Sequence, residues 1–217
     1  MKRQISYAIT VCNEHEELDK LLQCLYDNMN KENSEIVILM DEYKTTDRVA
    51  EIVQQYLYTP YNLLTNYKYK SHKLNMDFSD HKNYLNSLCT GEYIFQIDAD
   101  EVPQKYLLKL LPDILVANPT VDLFYIPRIN IVNNIDQTHI NQWGWTIDKN
   151  NWVNFPDYQG RVFKNNSNIY WKNKVHEKIV GINTYSHLPA SEEFCLTHIK
   201  DIKKQIYQNE FYNKIIN

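Results

Sequence analysis

The stretch of sequence that decides the fold is residues 90–101, TGEYIFQIDADE, in which a short apolar run ends in a cluster of carboxylates. The run over residues 93–97 is typical of a strand that is covered on both faces. Gly91 predicts the C-cap of a helix over residues 79–89, directly before the strand. The strand is therefore expected to end at the acidic residues, which are Asp98, Asp100 and Glu101.

On the N-terminal side of this stretch, strand and helix patterns alternate. The predicted strands are residues 5–11, 35–40 and 61–67. Asn13 predicts the N-cap of the helix after the first strand, and Thr45 or Thr46 that of the helix after the second. Four β-α repeats in succession imply a parallel sheet with right-handed crossovers, whose ligands bind at the carboxyl ends of the strands.

On the C-terminal side the pattern is less regular. Residues 130–159 show weak periodicity and are expected to form long loops, where acceptor or substrate contacts are common. The predicted elements are a helix that opens at Pro103 and runs through Leu115, a strand over residues 121–127, a hairpin of residues 161–164 with 169–172, and a closing amphipathic helix from His198 onward. No repeat or linker interrupts the 217 residues, so one domain is expected.

The composition excludes several classes of protein. The four glycines stand far apart, so neither a G-x-G-x-x-G dinucleotide turn nor a P-loop can be written. A net charge of -4 gives no global attraction to nucleic acid or anionic lipid. The four cysteines form no C-x-x-C pair, so we expect free thiols in a reducing compartment.

The sequence also carries hints about location. The N-terminus has no signal-peptide pattern, and no apolar run approaches the ~20 residues of a membrane span. We therefore expect a cytoplasmic protein. Frequent Asn, Lys, Ile and Tyr are typical of the AT-rich genomes of some viruses and bacteria, and a viral gene would place the protein in the host cytoplasm.

The acidic cluster is the sharpest chemical signal. Three carboxylates within four positions repel one another, and a divalent cation offsets that repulsion. Mn²⁺ or Mg²⁺ bound there would bridge to a nucleoside diphosphate. The alternative is a solvated acidic turn that caps a helix, because a bare D-x-D has a high false-positive rate.

Several segments together resemble one family. Residues 78–85, FSDHKNYL, and residues 90–101 resemble the "F-x-x-x-R-N-x-x-L … T-G-x-x-x-x-x-L-D-A-D-E" run of family-2 glycosyltransferases. Supporting segments, spread over roughly residues 4–217, are residues 5–14, 35–47, 161–163, Trp171 and 175–177. The chain departs from the family pattern in two places: the turn after Asp41 has no glycine, and Lys82 replaces the arginine. We therefore expect the site for the nucleotide's base to differ most.

The resemblance implies an α/β, Rossmann-like GT-A fold. It has a mostly parallel central sheet flanked by helices and a small C-terminal subregion on the acceptor side. Residues 1–217 would form a single domain, with residues 1–102 as the nucleotide-sugar-binding half. Residues 103–217 would be the acceptor-side half and would include the closing helix.

The resemblance also implies roles for individual residues. Asp98 and Asp100 would hold the metal, with Asp98 also near the ribose, and Lys82 would face the diphosphate. Base and ribose contacts would come from Asp41, Asn13 and Glu14, and the last metal ligand from His198 or its rival His176. The alternatives stay open: Asn13 and Glu14 as helix caps, Lys82 as a solvated lysine, and each histidine as a structural residue.

The resemblance places a catalytic carboxylate at Glu177. It would accept the acceptor's proton in an inverting transfer, with Asp157 and Glu101 as reserves. The alternative is a surface ion pair of Glu177 with Lys174 or Lys178.

The implied activity is a metal-dependent transfer of a sugar from a nucleotide-sugar donor, a UDP-sugar first. The acceptor would be a glycan, a protein or modified DNA; the basic stretch of residues 67–73 keeps nucleic acid open. Trp143, Trp145 and Trp152 would be sugar-stacking platforms or loop anchors. The alternative function is a non-catalytic nucleotide- or glycan-binding module with the same fold.

Overall fold

The computed structural model describes residues 4–58 and 66–216, and the side chains up to residue 211. The helices are α1 (His15–Asn28), α2 (Asp47–Tyr58), α3 (Phe78–Leu88), α4 (Lys105–Ala117), α5 (Gln137–Trp143) and α6 (Ile202–Ile216), with a 3-10 turn at Glu192–Phe194. The strands are β1 (Ile5–Val11), β2 (Ser34–Asp41), β3 (Asn66–His72), β4 (Tyr93–Asp98), β5 (Glu101–Pro103), β6 (Leu123–Ile126), β7 (Arg128–Asn133), β8 (Gln159–Lys164), β9 (Tyr170–Lys172), β10 (Lys178–Val180), β11 (Tyr185–His187) and β12 (Leu196–Asp201).

A seven-stranded sheet with the order β11-β6-β8-β4-β1-β2-β3 forms the centre of the molecule. The neighbours β4-β1-β2-β3 are all parallel, whereas β8 runs antiparallel to both β4 and β6. Helices cover both faces. One core joins β1 to α1, α2 and α4, and the other joins β4 to α3 and β9. The predicted α/β architecture with a mostly parallel sheet flanked by helices is therefore confirmed.

A buried polar anchor fixes β4 against β1 and β2. Glu35 is fully buried and accepts hydrogen bonds from Ser6 Oγ (2.6 Å) and from the Thr90 N–H (2.6 Å). The Gly91 N–H in turn donates to Ser6 Oγ at 2.8 Å. A Cβ on Gly91 would lie 2.6 Å from the Ser6 nitrogen. Gly91 thus permits a close approach of two backbones, and the prediction that it caps the helix is wrong, because the C-cap residue of α3 is Cys89.

A second sheet, β5-β12-β7, brings the C-terminal part of the chain to the end of β4. β12 runs antiparallel to the three-residue β5 and parallel to β7. Beside it, the half-buried Trp143 and Trp145 pack against a small apolar cluster. This arrangement places β12 and the start of α6 next to the acidic cluster.

Several predicted elements differ in the structure. Most of the strand predicted at residues 61–67 lies outside the described residues, and the described strand is Asn66–His72. The hairpin of residues 161–164 with 169–172 is wrong, because β8 inserts between β4 and β6 whereas β9 pairs with β10. Within the predicted loop region of residues 130–159, β7 continues and α5 forms.

Three predicted helix starts are also wrong. Asn13 does not cap α1, whose N-cap residue is Glu14 and makes no side-chain capping bond. Pro103 ends β5, and α4 begins at Lys105. His198 lies within β12, and α6 begins only at Ile202.

Candidate functional site

The candidate site lies where the parallel strands end. Asp98 is the last residue of β4, and the chain then turns through Asp100 into β5. His198 of β12 pairs in register with Glu101 of β5. A strand from the C-terminal part of the chain thereby delivers an imidazole to carboxylates from the N-terminal part.

Three polar groups hold the Asp98 carboxylate. Thr10 Oγ1 donates to Oδ1 at 3.2 Å, and Arg161 Nη2 donates to Oδ2 at 2.8 Å. Lys82 Nζ lies 3.4 Å from Oδ1. Burial alone would raise the pKa of Asp98, but the charges of Arg161 and Lys82 outweigh it and hold the pKa well below its usual range. Asp98 is therefore an anion with about a third of its side chain exposed.

Asp100 faces His198 in an arrangement that suits a cation. Asp100 Oδ2 lies 3.3 Å from His198 Nε2, and His198 Nδ1 lies 3.0 Å from Asn130 Oδ1. The amide orientation of Asn130 is fixed because Nδ2 donates to Asp157 at 2.8 Å. His198 Nδ1 therefore donates to Asn130, and Nε2 faces the carboxylate, where it donates a hydrogen bond when the ring is protonated and offers a lone pair to a cation when the ring is neutral. A cation between these two atoms would satisfy both.

Asp100 also has a lysine partner. Lys204 Nζ, on the first turn of α6, lies 3.1 Å from Asp100 Oδ2. Burial raises the pKa of Asp100, but His198 and Lys204 together lower it well below the usual value. Among the described residues, no three His, Cys, Asp or Glu side chains are already arranged as a metal cage. Of the three residues predicted as metal ligands, Asp100 and His198 are in contact, and Asp98 lies at the end of β4 two residues before Asp100.

The two reserve carboxylates are bound by arginines. Glu101 is fully buried, and its Oε1 accepts from Arg128 Nη1 (2.7 Å) and Arg161 Nη2 (2.6 Å). Asp157 Oδ2 accepts from Arg128 Nη2 at 2.6 Å and from Asn130. Burial would raise the pKa of Asp157, and Arg128 outweighs this and lowers it. Both carboxylates are poorly placed to accept a further proton.

Lys82 and Glu177 form a buried pair beside Asp98. Lys82 Nζ donates to Glu177 Oε1 at 2.7 Å and lies 4.8 Å from the centre of the Trp171 ring. The Lys82 side chain is 6% exposed, so the alternative of a solvated lysine is wrong. Burial lowers the pKa of Lys82, but Asp98 and Glu177 outweigh it and raise the pKa overall. The alternative for Glu177 was an ion pair with the surface lysine Lys174 or Lys178. Its partner in the structure is instead the buried Lys82.

The remaining predicted residues lie around this centre. Glu14 Oε2 accepts the backbone N–H groups of Cys12 and Asn13, both at 3.0 Å, and Asn13 itself is exposed. His176 is exposed and has a left-handed backbone, with φ at 53°. Of the two candidate histidines, His198 is the one that reaches Asp100.

The glycine-free turn after β2 is closed by hydrogen bonds from its backbone N–H groups to Asp41. Asp41 is buried and accepts the Tyr43 N–H at Oδ1 (3.0 Å), while its carbonyl accepts the Thr45 N–H (3.1 Å). In the adjacent strand, His72 is the register partner of Asp41.

Two histidines at this corner have no counterpart in the sequence-based prediction. His72 stacks on Tyr84 with ring centroids 4.2 Å apart, and its Nδ1 lies 3.3 Å from Nδ1 of His81. Burial and His72 lower the pKa of His81 to about 4. The end of β3, next to Asp41, is therefore lined by a neutral His81 from α3 and by the stack of His72 on Tyr84.

Sequence reasoning gave no role to three cations of the site: Arg128, Arg161 and Lys204. Arg161 stands in a segment that supported the family resemblance, and this was a usable signal. Arg128 and Lys204 carry no local signal, because they reach the site through pairing of β7 and β12 with distant strands.

Comparison with known proteins gives a family. The model of glycosyl transferase family 2 matches residues 6–184. No curated protein sequence matches significantly. S. aureus TarS 1–349 in complex with UDP-GlcNAc has a TM-score of 0.65 at 17% identity, over 91% of this chain and 58% of that one. The corresponding complex with UDP has a TM-score of 0.64 at 16% identity, over 90% and 60%.

This chain therefore spans less than two thirds of the TarS fragment, and the likeness at this identity shows a common fold. No described helix is long and apolar enough to cross a bilayer. The family model covers most of the chain, so the resemblance in the sequence is confirmed and the chain belongs to glycosyl transferase family 2.

Proposed function

We propose that the protein transfers a sugar from a nucleoside-diphosphate sugar to an acceptor hydroxyl, with a divalent cation and with inversion at the anomeric carbon. A UDP-sugar is the first donor to consider, because TarS, which has the same fold, was solved with UDP-GlcNAc. The observation that carries the proposal is the pairing of Asp100 with His198, next to Asp98 at the carboxyl end of a parallel sheet.

The donor set supports Mn²⁺ or Mg²⁺ as the cofactor. Carboxylate oxygens suit both ions, and the imidazole of His198 is a competent ligand for Mn²⁺. The Nε2 of His198 and Oδ2 of Asp100 already face each other, with Asn130 orienting the ring from behind. A bound cation supplies charge neutralisation for the departing nucleoside diphosphate.

The chain's own residues would do the remaining work. We propose Asp41, Asn13 and Glu14 as contacts for base and ribose, because Asp41 ends β2 and the other two follow β1. Lys82 orients Glu177 and neutralises Asp98 from the side of α3. We also propose that the Lys82 ammonium faces the diphosphate of the donor, because its Nζ lies 3.4 Å from Oδ1 of Asp98.

Glu177 is the proposed base for the acceptor hydroxyl. The pairing with Lys82 keeps its carboxylate beside the metal-binding residues. Both oxygens of Asp157 and of Glu101 accept hydrogen bonds, whereas among the described residues Glu177 is engaged only at Oε1, which supports Glu177 over both. In an inverting transfer this carboxylate takes the hydroxyl proton as the oxygen attacks the anomeric carbon.

A glycan is the acceptor class that we propose first, ahead of a protein or modified DNA. The basic stretch of residues 67–73 had kept nucleic acid open, but Lys68 of that stretch lies 3.1 Å from the buried Glu35. Trp152 packs on Phe155 at 4.8 Å in the acceptor-side half, five residues before Asp157. Such an aromatic pair offers an apolar face for a sugar ring.

The test measures UDP release from a panel of UDP-sugars with and without Mn²⁺. We expect metal-dependent release by the wild type and a loss of at least about 100-fold in Asp100→Asn. Asp113→Asn, an exposed carboxylate on α4, is the matched control and should behave as wild type. UDP binding without turnover of any donor would favour the non-catalytic binding module, and unchanged turnover in Asp100→Asn would contradict the metal role.

A further inference from the structure

Lys204 joins two separate strand ends of the site. Its Nζ lies 3.1 Å from Oδ2 of Asp100, which follows β4, and 4.0 Å from Oε1 of Glu14, which follows β1. The backbone that carries it is fixed, because Asp201 Oδ1 accepts the N–H of Lys203 at 2.9 Å at the start of α6. One ammonium from the C-terminal helix therefore bridges two carboxylates of the N-terminal half.

The position of this lysine is not explained by helix stability. Cations in the first turn of a helix are unfavourable against the macrodipole, and Lys203 beside it simply extends into solvent. Burial would lower the pKa of Lys204, but Asp100 and Glu14 outweigh it and raise the pKa. Lys204 is thus held in the candidate donor site by its ion pairs with Asp100 and Glu14.

We infer that Lys204 is a ligand of the donor's diphosphate, an inference that rests on the proposed function. A divalent cation on Asp100 and the Lys204 ammonium compete for the same carboxylate oxygen. The ammonium then keeps only its 4.0 Å contact with Glu14, and the diphosphate beside Asp100 is the nearest further anion that the proposed reaction brings. A lysine suits such an exchange of partners, because its charge is compact and its stem is flexible.

The exchange has a consequence for α6. The ion pairs of Lys204 tie the first turn of this helix to β1 and β4 before the donor binds. When the diphosphate becomes the partner of Lys204, the bound ligand holds the start of α6 in place of the two carboxylates. Recognition by Lys204 therefore concerns the phosphates of the donor and not its base or ribose.

The experiment compares the binding of UDP and of uridine, each at saturating Mn²⁺. The variants are Lys204→Met, which keeps the length of the stem, Lys204→Arg, which keeps the charge, and the exposed neighbour Lys203→Met as the matched control. Calorimetry gives the Kd of UDP, and an NMR titration gives that of uridine. The melting temperature without ligand shows whether each variant is folded.

We expect Lys204→Met to weaken UDP binding by at least about 10-fold, as for a lost charged hydrogen bond, with uridine binding unchanged. Lys204→Arg should recover most of the UDP affinity, and Lys203→Met should match the wild type. A folded Lys204→Met whose UDP affinity stays within threefold of wild type overturns the inference and leaves the proposed function standing. A wild type that binds no nucleoside diphosphate overturns both.

Discussion

At the scale of single residues, the pair of Glu177 with Lys82 makes the proposed base testable without loss of the fold. In Glu177→Gln the amide still accepts the Lys82 hydrogen bond at this position, and Lys82 keeps its contact with Asp98. The amide cannot accept a proton from the acceptor. We expect donor turnover to fall by about 100-fold or more, since general-base catalysis contributes this much, while the Kd of UDP stays within twofold.

The measurement is kcat for UDP release, next to UDP binding by calorimetry. Glu192→Gln, which changes an exposed carboxylate in the 3-10 turn, is the control. Full turnover in Glu177→Gln would show that another group takes the proton. In that case the occupied carboxylates Asp157 and Glu101 would have to release Arg128 or Arg161 during the reaction.

Much of the acidic part of the site could be predicted from single residues. Asp98 and Asp100 follow an apolar run, and this local pattern was enough to place them at a strand end. Their partners could not be placed in the same way. Arg128 and Lys204 reach the carboxylates only because β12 pairs with both β5 and β7, and a pairing of distant strands leaves no local pattern.

At the scale of elements, the packing of the chain before β4 against β1 requires that position 91 has no side chain. A Cβ there would lie 2.6 Å from the Ser6 nitrogen and 2.8 Å from the Ile5 carbonyl carbon, so β1 would have to move. We expect Gly91→Ala to lower the free energy of unfolding by about 1–3 kcal/mol, the usual cost of overpacking. Urea denaturation measures this change.

The matched control is Gly160→Ala in β8. Its added Cβ would lie 3.4 Å from a Leu123 side-chain carbon, an ordinary contact distance. If Gly91→Ala costs no more than Gly160→Ala, then the close approach of β1 and β4 does not require a glycine.

The elements also show why sequence patterns predicted the strands of the first half but not the strand pairing of the second half. β1, β2 and β4 are long apolar runs separated by helices, so each could be predicted from its own residues. β8 was recognised as a strand, but its partners β4 and β6 are distant in sequence, and the predicted hairpin was therefore wrong. His198 was assigned to the last helix because the spacing of nearby isoleucines mimics a helical period across β12 and α6.

At the scale of the whole molecule, the sheet and the site both cross the proposed boundary between residues 1–102 and 103–217. β8, from the second half, hydrogen-bonds to β4 of the first half. Arg161 of β8 then contacts Asp98 and Glu101 within the same site. Neither half can unfold without exposing strand edges and buried charges of the other, so the predicted single domain should unfold in one step.

The distribution of reporter residues allows this to be measured. Trp171 contacts α3 of the first half, so the measurement uses Trp171→Phe, whose remaining tryptophans, Trp143, Trp145 and Trp152, all belong to the second half. Tryptophan fluorescence of this variant follows the second half alone. Cys89 is buried in the first half, and its alkylation, measured by peptide mass spectrometry, follows that half. We expect both signals to change at the same urea concentration, because a cooperative domain has one midpoint for every probe. Two separate midpoints would show that β8 does not couple the halves, and the residues on either side of position 102 would then be independent folding units.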